Sequence, residues 1–341
     1  MVLTQVNSGK IAQNVSILPM GVDIGAGLVK VSAGNSTAEI PSKLLFLNKS
    51  LPECLGSSQI WYEAGNAKHL IGKEFLVGEP AQWKAPTNHI KLSDNPALKS
   101  EYALEALLGA ISKLPYRQKW NLSLAISNHN RKMFADTLRK NLEGEHIVKF
   151  GDSDLSAIYI SVAGIYPEGA GSYLSAISLQ PGLTGNLIVG VDFGTSTIIC
   201  QTFSPHGKML FHQPLELGGV IELLNAIATD DKLVRCLGTG KPGNTELIRR
   251  GIISRNFKYG NTDFNFGDIY QAHFKYWISD RIRLIREACR EWENEAIFLA
   301  WGGGSMLPGM EKYLGNIKIL PNGGWANALG LELMAKSKVA K

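Results

Sequence analysis

No stretch of this sequence reaches the roughly 18 consecutive apolar residues that a membrane-spanning helix requires. The start of the chain lacks the basic segment and apolar core that mark a secretion signal. Cysteine is scarce. Cys54, Cys200, Cys236 and Cys289 are scattered, with no Cys-x-x-Cys spacing and no histidine cluster beside them. That argues against structural zinc and against a disulfide framework, and it fits a reducing cytoplasm. No block of about five Lys or Arg occurs, so the net charge of +5 gives no support for direct, specific nucleic-acid binding. Trp61, Trp83 and Trp301 are not interleaved with basic residues into a stacking platform. There is no Gly-x-Ser-x-Gly elbow, and Gly238-Thr239-Gly240-Lys241-Pro242 fails as a P-loop because proline follows the lysine.

What is present is a globular composition, 45% hydrophobic and 19% charged over 341 residues, enough for two domains. Two stretches are nearly alike. Gly21-Val22-Asp23-Ile24-Gly25-Ala26-Gly27 and Gly190-Val191-Asp192-Phe193-Gly194-Thr195-Ser196 share Gly-Val-Asp-apolar-Gly-small-small, about half a chain apart. Apolar runs flank each, so each reads as strand, glycine turn, strand. Backbone amides in such a turn hold phosphate, while the aspartate that ends the first strand faces a metal ion. Two copies predict two similar half-molecules that grip one nucleotide from both sides.

The organisation along the chain follows. Residues 1–16 read as a loose polar tail. Residues 17–182 form domain I, with a small inserted subdomain at about 36–92 that is proline-rich, irregular and not a continuation of the sheet. Strands at Leu122–Ile126 and Ala157–Val162 and helices from Leu98 to Ile111 and from Lys132 to Leu142 alternate, as in a sheet covered on both faces. The turn-rich Pro181–Gly185 sets the boundary. Domain II covers 183–320, and residues 321–341 form a C-terminal helix returning to domain I. Domain II carries an amphipathic helix over Gly219–Ala228 and a long helix with Tyr276, Ile278, Ile282, Ile285, Cys289 and Trp292 on its apolar stripe. Arg283, Arg286 and Arg290 on another face read as a solvated surface. The strand Ala296–Trp301 runs into Gly302-Gly303-Gly304-Ser305, where missing side chains let backbone approach a ligand.

Five segments in this order resemble the actin-like ATPase superfamily, and within it the bacterial ParM-like plasmid-segregation proteins. Asp23 to Val31, with Lys30, looks like the first phosphate loop, and Asp192 to Thr197 like the second. Tyr166–Tyr173 looks like the first connecting segment. Gly302–Gly309 looks like the adenosine loop, and Pro321–Gly330 like the second connecting helix. The resemblance implies an α/β, actin-like (ribonuclease H-like) fold of two duplicated domains flanking a nucleotide cleft. It implies ATP or GTP with Mg2+ as cofactors. Asp23 and Asp192 would hold the ion, mostly through its waters. The turns Gly25, Ala26, Gly27 and Gly194, Thr195, Ser196 would cradle phosphate, with Lys30 adding a point charge. Glu168 would orient the attacking water, making Glu168, Asp23 and Asp192 the catalytic set. Gly302, Gly303, Gly304 and Ser305 would pass beneath the nucleotide, and Glu222 would reach its base or ribose.

The implied function is nucleotide-dependent filament formation with copies of itself, hydrolysis weakening the polymer. A small DNA-binding adaptor would serve plasmid segregation in a bacterial cytoplasm, with no membrane and no direct specific nucleic-acid contact. Alternatives of the same fold are a filament governing cell shape, a small-molecule kinase and a non-polymerising chaperone-like ATPase. No sugar-binding motif supports the kinase.

Overall fold

The computed structural model describes residues 15–215 and 218–340. The tail reading therefore lies outside the described residues, apart from its last two positions. The chain divides into two compact units, Met1–Ser175 with Asn327–Lys341, and Ala176–Ala326.

The first unit runs β1 (Leu18–Ile24), β2 (Leu28–Ala33), β3 (Ser36–Pro41), β4 (Lys43–Leu47), β5 (Gln59–Gly65), β6 (Lys73–Val77), α1 (Glu79–Lys84) and β7 (Ile90–Lys91). It continues through α2 (Leu98–Glu101), α3 (Ala103–Ile111), β8 (Lys119–Asn128), α4 (Arg131–Leu142), β9 (Gly144–Phe150) and β10 (Leu155–Pro167), and enters α5 (Ala170–Leu179). All ten strands join one sheet in the order β3-β2-β1-β8-β10-β9-β5-β6-β4-β7. β8 lies between β1 and β10, parallel to both. Leu122, Leu124 and Ile126 are buried on one face, and Ser123, Ala125 and Ser127 on the other. Parallel strands covered on both sides read as such near-continuous buried runs.

The second unit runs β11 (Ile188–Phe193), β12 (Ile198–Phe203), β13 (Met209–Leu215), α6 (Val220–Ala228), α7 (Asp231–Leu237), α8 (Thr245–Ile253), α9 (Gly267–Ala288), β14 (Ile297–Trp301) and β15 (Lys318–Ile319). Its sheet order is β13-β12-β11-β14-β15. This matches β3-β2-β1-β8-β10 strand for strand, with the same antiparallel hairpins and the same parallel central pair. The register repeats as well. Asp23 opposes Lys30, and Asp192 opposes Ile199, at equivalent places.

α10 (Ala326–Val339) belongs, from Asn327 on, to the first unit. Leu331 and Ala335 pack on Ala125, while α3, buried at every residue, contributes to the core that includes Val22, Val29 and Val31. The close approach of α10 to β1 dictates a glycine, because a Cβ at Gly21 would overlap the Ala328 carbonyl. The equivalent glycine of the repeat, Gly190, leaves room for the Trp301 indole instead. One sequence motif thus solves two different packing problems.

The region 36–92 departs from the sequence reading. It is not an irregular insert beside the sheet. β3 completes the hairpin series, and β4 to β7 extend the same sheet through β9. Strands of five to seven residues between Pro41, Gly65 and Gly78 are too short to establish a period, and their pairing partner β9 lies far along the chain. The predicted helix from Leu98 to Ile111 breaks at Tyr102 into α2 and α3, and Asn95 accepts from the Ala97 amide ahead of it. Tyr276, placed on the apolar stripe of the long helix by spacing, is 80% exposed. Arg283 is exposed and paired with Asp280 and Glu287, as a solvated face requires.

One buried charge has a direct consequence for stability. Glu105 on α3 is 1% exposed, and burial, with its own amide opposing and Glu101 reinforcing, raises its carboxyl from 4.5 to about 7. A raised acid group binds its proton more tightly in the folded chain. The penalty is absent below the unfolded value, grows between pH 4.5 and 7, and is complete above about 7. Glu105→Gln is expected to stabilise the protein by up to about 3 kcal/mol at pH 8 and by almost nothing at pH 4. Urea unfolding at the two pH values measures this, and equal effects at both would remove the buried charge from the account.

Candidate functional site

The first candidate loop follows β1. Asp23 sits near the end of that strand, opposite Lys30 on β2. Its Oδ1 accepts from Asn327 Nδ2 at 3.0 Å, and the same amide nitrogen donates to Ser127 Oγ at 2.8 Å. Burial pushes the Asp23 carboxyl above its ordinary range, and Glu168 adds to that. Lys30, the Asn327 hydrogen bond and Lys99 work in the opposite direction. Glu168, in the turn between β10 and α5, meets Lys99 Nζ at 3.2 Å, with both side chains mostly buried. His129 lies in the same field. Burial lowers its pKa, Glu168 raises it and Lys99 lowers it. The first unit therefore gathers Asp23, Lys30 and Glu168 into one polar cluster with Lys99, Ser127, His129 and Asn327.

The turn itself is held from behind. The Gly25 amide donates to Leu28 O at 3.0 Å, so it closes the turn. Ser42, directly after β3, donates its amide to Gly27 O at 3.1 Å and its hydroxyl to Gly25 O at 2.6 Å. With those carbonyls tied, the amides of Ala26 and Gly27 carry no described hydrogen bond. They are the donors the turn has to offer an anion. Ser42→Ala is expected to cost about 1 kcal/mol of stability, the usual worth of one hydrogen bond. It should also weaken phosphate-ligand binding roughly tenfold by loosening the turn. An unchanged affinity in that variant would show that the brace is irrelevant.

The second loop is built alike and braced differently. The Gly194 amide closes the turn onto Thr197 O at 3.0 Å. The amides of Gly219, Val220 and Ile221, at the start of α6, donate to the carbonyls of Ser196, Gly194 and Thr195 at 3.3, 3.1 and 2.9 Å. A helix start has amides without intrahelical partners, and here they take all three loop carbonyls. The amides of Thr195 and Ser196 carry no described hydrogen bond. In both turns, then, the first glycine amide serves the turn and the two following residues remain as donors.

Asp192 lies beside the glycine segment after β14. Gly302 has φ of +81°, and a Cβ there would overlap Asp192 Oδ1 and lie 2.7 Å from Phe193 O. Gly304 would meet Val220 Cγ2 at 2.7 Å and Phe193 Cβ at 2.9 Å. Gly303 differs, since a Cβ there meets nothing within 4 Å. Ser305 is 1% exposed and its hydroxyl donates to Gly302 O at 2.8 Å, so that side chain fastens the segment and faces no ligand. The segment forms a short 3-10 turn, Gly303–Met306. Glu222, in the first turn of α6, pairs with Arg281 at 3.2 Å, and Arg281 also meets Asp280.

The residues present fit a nucleotide and a hydrated cation. Asn327 Oδ1 is buried without a hydrogen-bond partner beside the Asp23 carboxylate. A water on a bound ion would satisfy it while the ion neutralises Asp23. Among the described residues no three His, Cys, Asp or Glu are grouped to hold a metal, and magnesium, which keeps several waters, does not require such a group. Sequence reasoning missed Ser42, Lys99, Ser127, His129 and Asn327. Asn327 lay within the quoted second connecting helix, but its role depends on α10 reaching β1. The others carry no local motif.

A duplicated hairpin sheet with a parallel central pair, an acidic turn in each copy and a chain that returns to its first unit is the actin-like fold, and this chain has it. Residues 21–171 match the model of the family described as actin like proteins, N terminal domain. Among solved structures, the pCBH ParM non-polymerisable quadruple mutant is similar at a TM-score of 0.71 and 18% identity, covering 94% of this chain and 100% of that one. An archaeal actin homologue in complex with ADP gives 0.71 and 18%, covering 95% and 100%. A 15-stranded ParM filament from Clostridium botulinum gives 0.68 and 16%, covering 95% and 100%. No curated protein matches in sequence.

Proposed function

We propose that this chain is an ATPase that assembles with copies of itself into nucleotide-dependent filaments in a bacterial cytoplasm. The observation that carries the reading is the duplicated turn, each copy with an acidic residue near its strand end and two amides that carry no described hydrogen bond. It is joined by Glu168 held against Lys99 beside Asp23. Solved relatives of the same fold support it: one is described with ADP and another as a filament.

Ala26, Gly27, Thr195 and Ser196 would donate amides to phosphate oxygens, with Lys30 as a point charge. Asp23 and Asp192 would hold magnesium, mostly through its waters. The ion would supply neutralisation of the phosphate charge. Glu168, fixed by Lys99, would orient the attacking water and accept its proton. The backbone of Gly302–Gly304 would lie against the nucleoside, and Glu222, already tied to Arg281, would order that side through α6. Because an ionised Asp23 is needed and burial raises its pKa, the folded chain keeps that proton to higher pH than an ordinary aspartate does. Magnesium-dependent binding should therefore fade earlier than usual on acidification.

In this reading ATP favours the assembling state, and hydrolysis weakens the contacts, each by its differential affinity for the two states. The work we propose is plasmid segregation with a small DNA-binding adaptor. No helix among the described residues is long and apolar enough to cross a membrane.

The test is light scattering and phosphate release on mixing micromolar protein with ATP and magnesium, followed by electron microscopy. A rise in scattering with filaments, and phosphate release that follows it, is the expected result. No assembly together with phosphotransfer to a small acceptor would replace the filament by a kinase. Asp192→Ala should abolish the magnesium-dependent part of nucleotide affinity, and normal affinity would overturn the assignment of that aspartate.

A further inference from the structure

Away from both loops, the first unit contains a pocket of about 370 Å³ whose lining includes Phe46, His69, Lys73, Glu101, Tyr102 and Glu105. Glu105 is its buried wall. The residue is 1% exposed, and its Oε2 has no hydrogen-bond partner. Its other oxygen is 3.9 Å from Nε2 of His69, whose side chain is 64% exposed at the rim. A buried carboxylate with one oxygen unsatisfied is costly, and buried polar atoms without partners are rare in native proteins. The pocket also has an aromatic side. The Phe46 and Tyr102 rings are tilted at 6.1 Å between centroids. A buried carboxylate and two aromatic side chains on one lining are the chemistry that receives an organic cation. A zinc-like ion held directly by side chains fits less well, because no three His, Cys, Asp or Glu among the described residues are grouped to hold one.

We propose that this pocket is a binding site for a small organic cation, a guanidinium or primary ammonium group that pairs with Glu105 and lies against Phe46 and Tyr102. The volume falls within the range of small-molecule sites. Glu101 adds a second carboxylate, and Tyr102 bonds to it. Lys73 on β6 and His69 are the basic groups on the lining. They disfavour a dication lying flat at the rim and favour a single charge inserted toward Glu105. Because Glu105 titrates at about 7 when the pocket holds no cation, binding expels a proton from it.

Calorimetric titration of the full chain with propylamine, methylguanidine and Nα-acetylarginine amide, each carrying a single positive charge, tests the site. At pH 8 we expect saturable one-to-one binding of at least one of them. The affinity should fall roughly tenfold at pH 6, as a group titrating near 7 becomes protonated. Glu105→Gln should lose at least tenfold at pH 8, and its own stability is expected to rise there, so the loss is not an unfolding effect. Carbon NMR of the Glu105 carboxyl should show its midpoint move downward when the probe binds. Binding of propylamine or methylguanidine without the blocked arginine assigns a free small molecule as the source. Binding of the blocked arginine as well assigns a side chain of another protein as an equal source of the same group. No saturable binding of any probe at pH 8, or Glu105→Gln binding as the parent does, overturns the proposal.

Discussion

Glu168→Ala is expected to slow phosphate release about a hundredfold or more while leaving ATP affinity within about threefold, the signature of a lost general base rather than a lost ligand contact. The geometry behind this is specific. Glu168 projects from a two-residue turn after β10, and Lys99 from α2 holds it at 3.2 Å. Its charge is felt by Asp23 and by His129. A carboxylate so placed reaches the same polar cluster as the first phosphate turn. Filaments of the variant should outlive those of the parent, because the hydrolysis that weakens them is delayed. Single-turnover phosphate release and the lifetime of scattering after ATP is exhausted measure both effects. Lys99→Met should give an intermediate loss, because it leaves the base in place without its clamp. Turnover equal to the parent's in Glu168→Ala would remove this residue from the chemistry.

Gly303→Val is expected to remove nucleotide binding, by at least a hundredfold in affinity, without unfolding the second unit. Among the described residues, no atom beyond the two chain neighbours lies within 4 Å of a Cβ built at Gly303, and the residue does not need a positive φ. The added bulk would meet only what lies against the segment. Gly302→Val is the contrasting variant. There φ is +81° and the new Cβ would overlap Asp192 Oδ1, so stability should fall together with binding. Thermal unfolding and binding of a fluorescent nucleotide separate the two cases. Gly303→Val that binds nucleotide normally would move the nucleoside away from this segment.

Much of the architecture was legible because a repeated motif leaves local marks. The glycine turn after each aspartate has the same backbone demands in both copies, so it appears in the residues themselves. The structure returns it as two hairpins in matching register. The strand at 157–162 was legible in its apolar core, but β10 runs from Leu155 to Pro167 across an irregularity between Val162 and Gly164. That irregularity breaks the alternation that spacing depends on. Within the turns, spacing nominated all three small residues as phosphate donors. The turns' own backbone hydrogen bonds, Gly25 to Leu28 and Gly194 to Thr197, distinguish the glycines that close the turns from the residues that follow them, and residue spacing does not record those bonds. Ser305 was nominated by its neighbours, yet its buried hydroxyl serves Gly302.

The sequence by itself determined the repeated strand–turn–strand units and their acidic ends, since a short strand and a glycine turn are local requirements of the backbone, whereas the neighbours that exclude a side chain at Gly21 and Gly190 come from distant segments. The tertiary structure alone decided that residues 36–92 extend the first sheet, that Ser42 and the start of α6 hold the two turns, and that Asn327 and Lys99 steady Asp23 and Glu168. Those outcomes depend on hydrogen bonds and ion pairs between segments up to 304 positions apart. No local periodicity records such partners, because the side chains concerned are ordinary serines, lysines and asparagines until the fold brings them together.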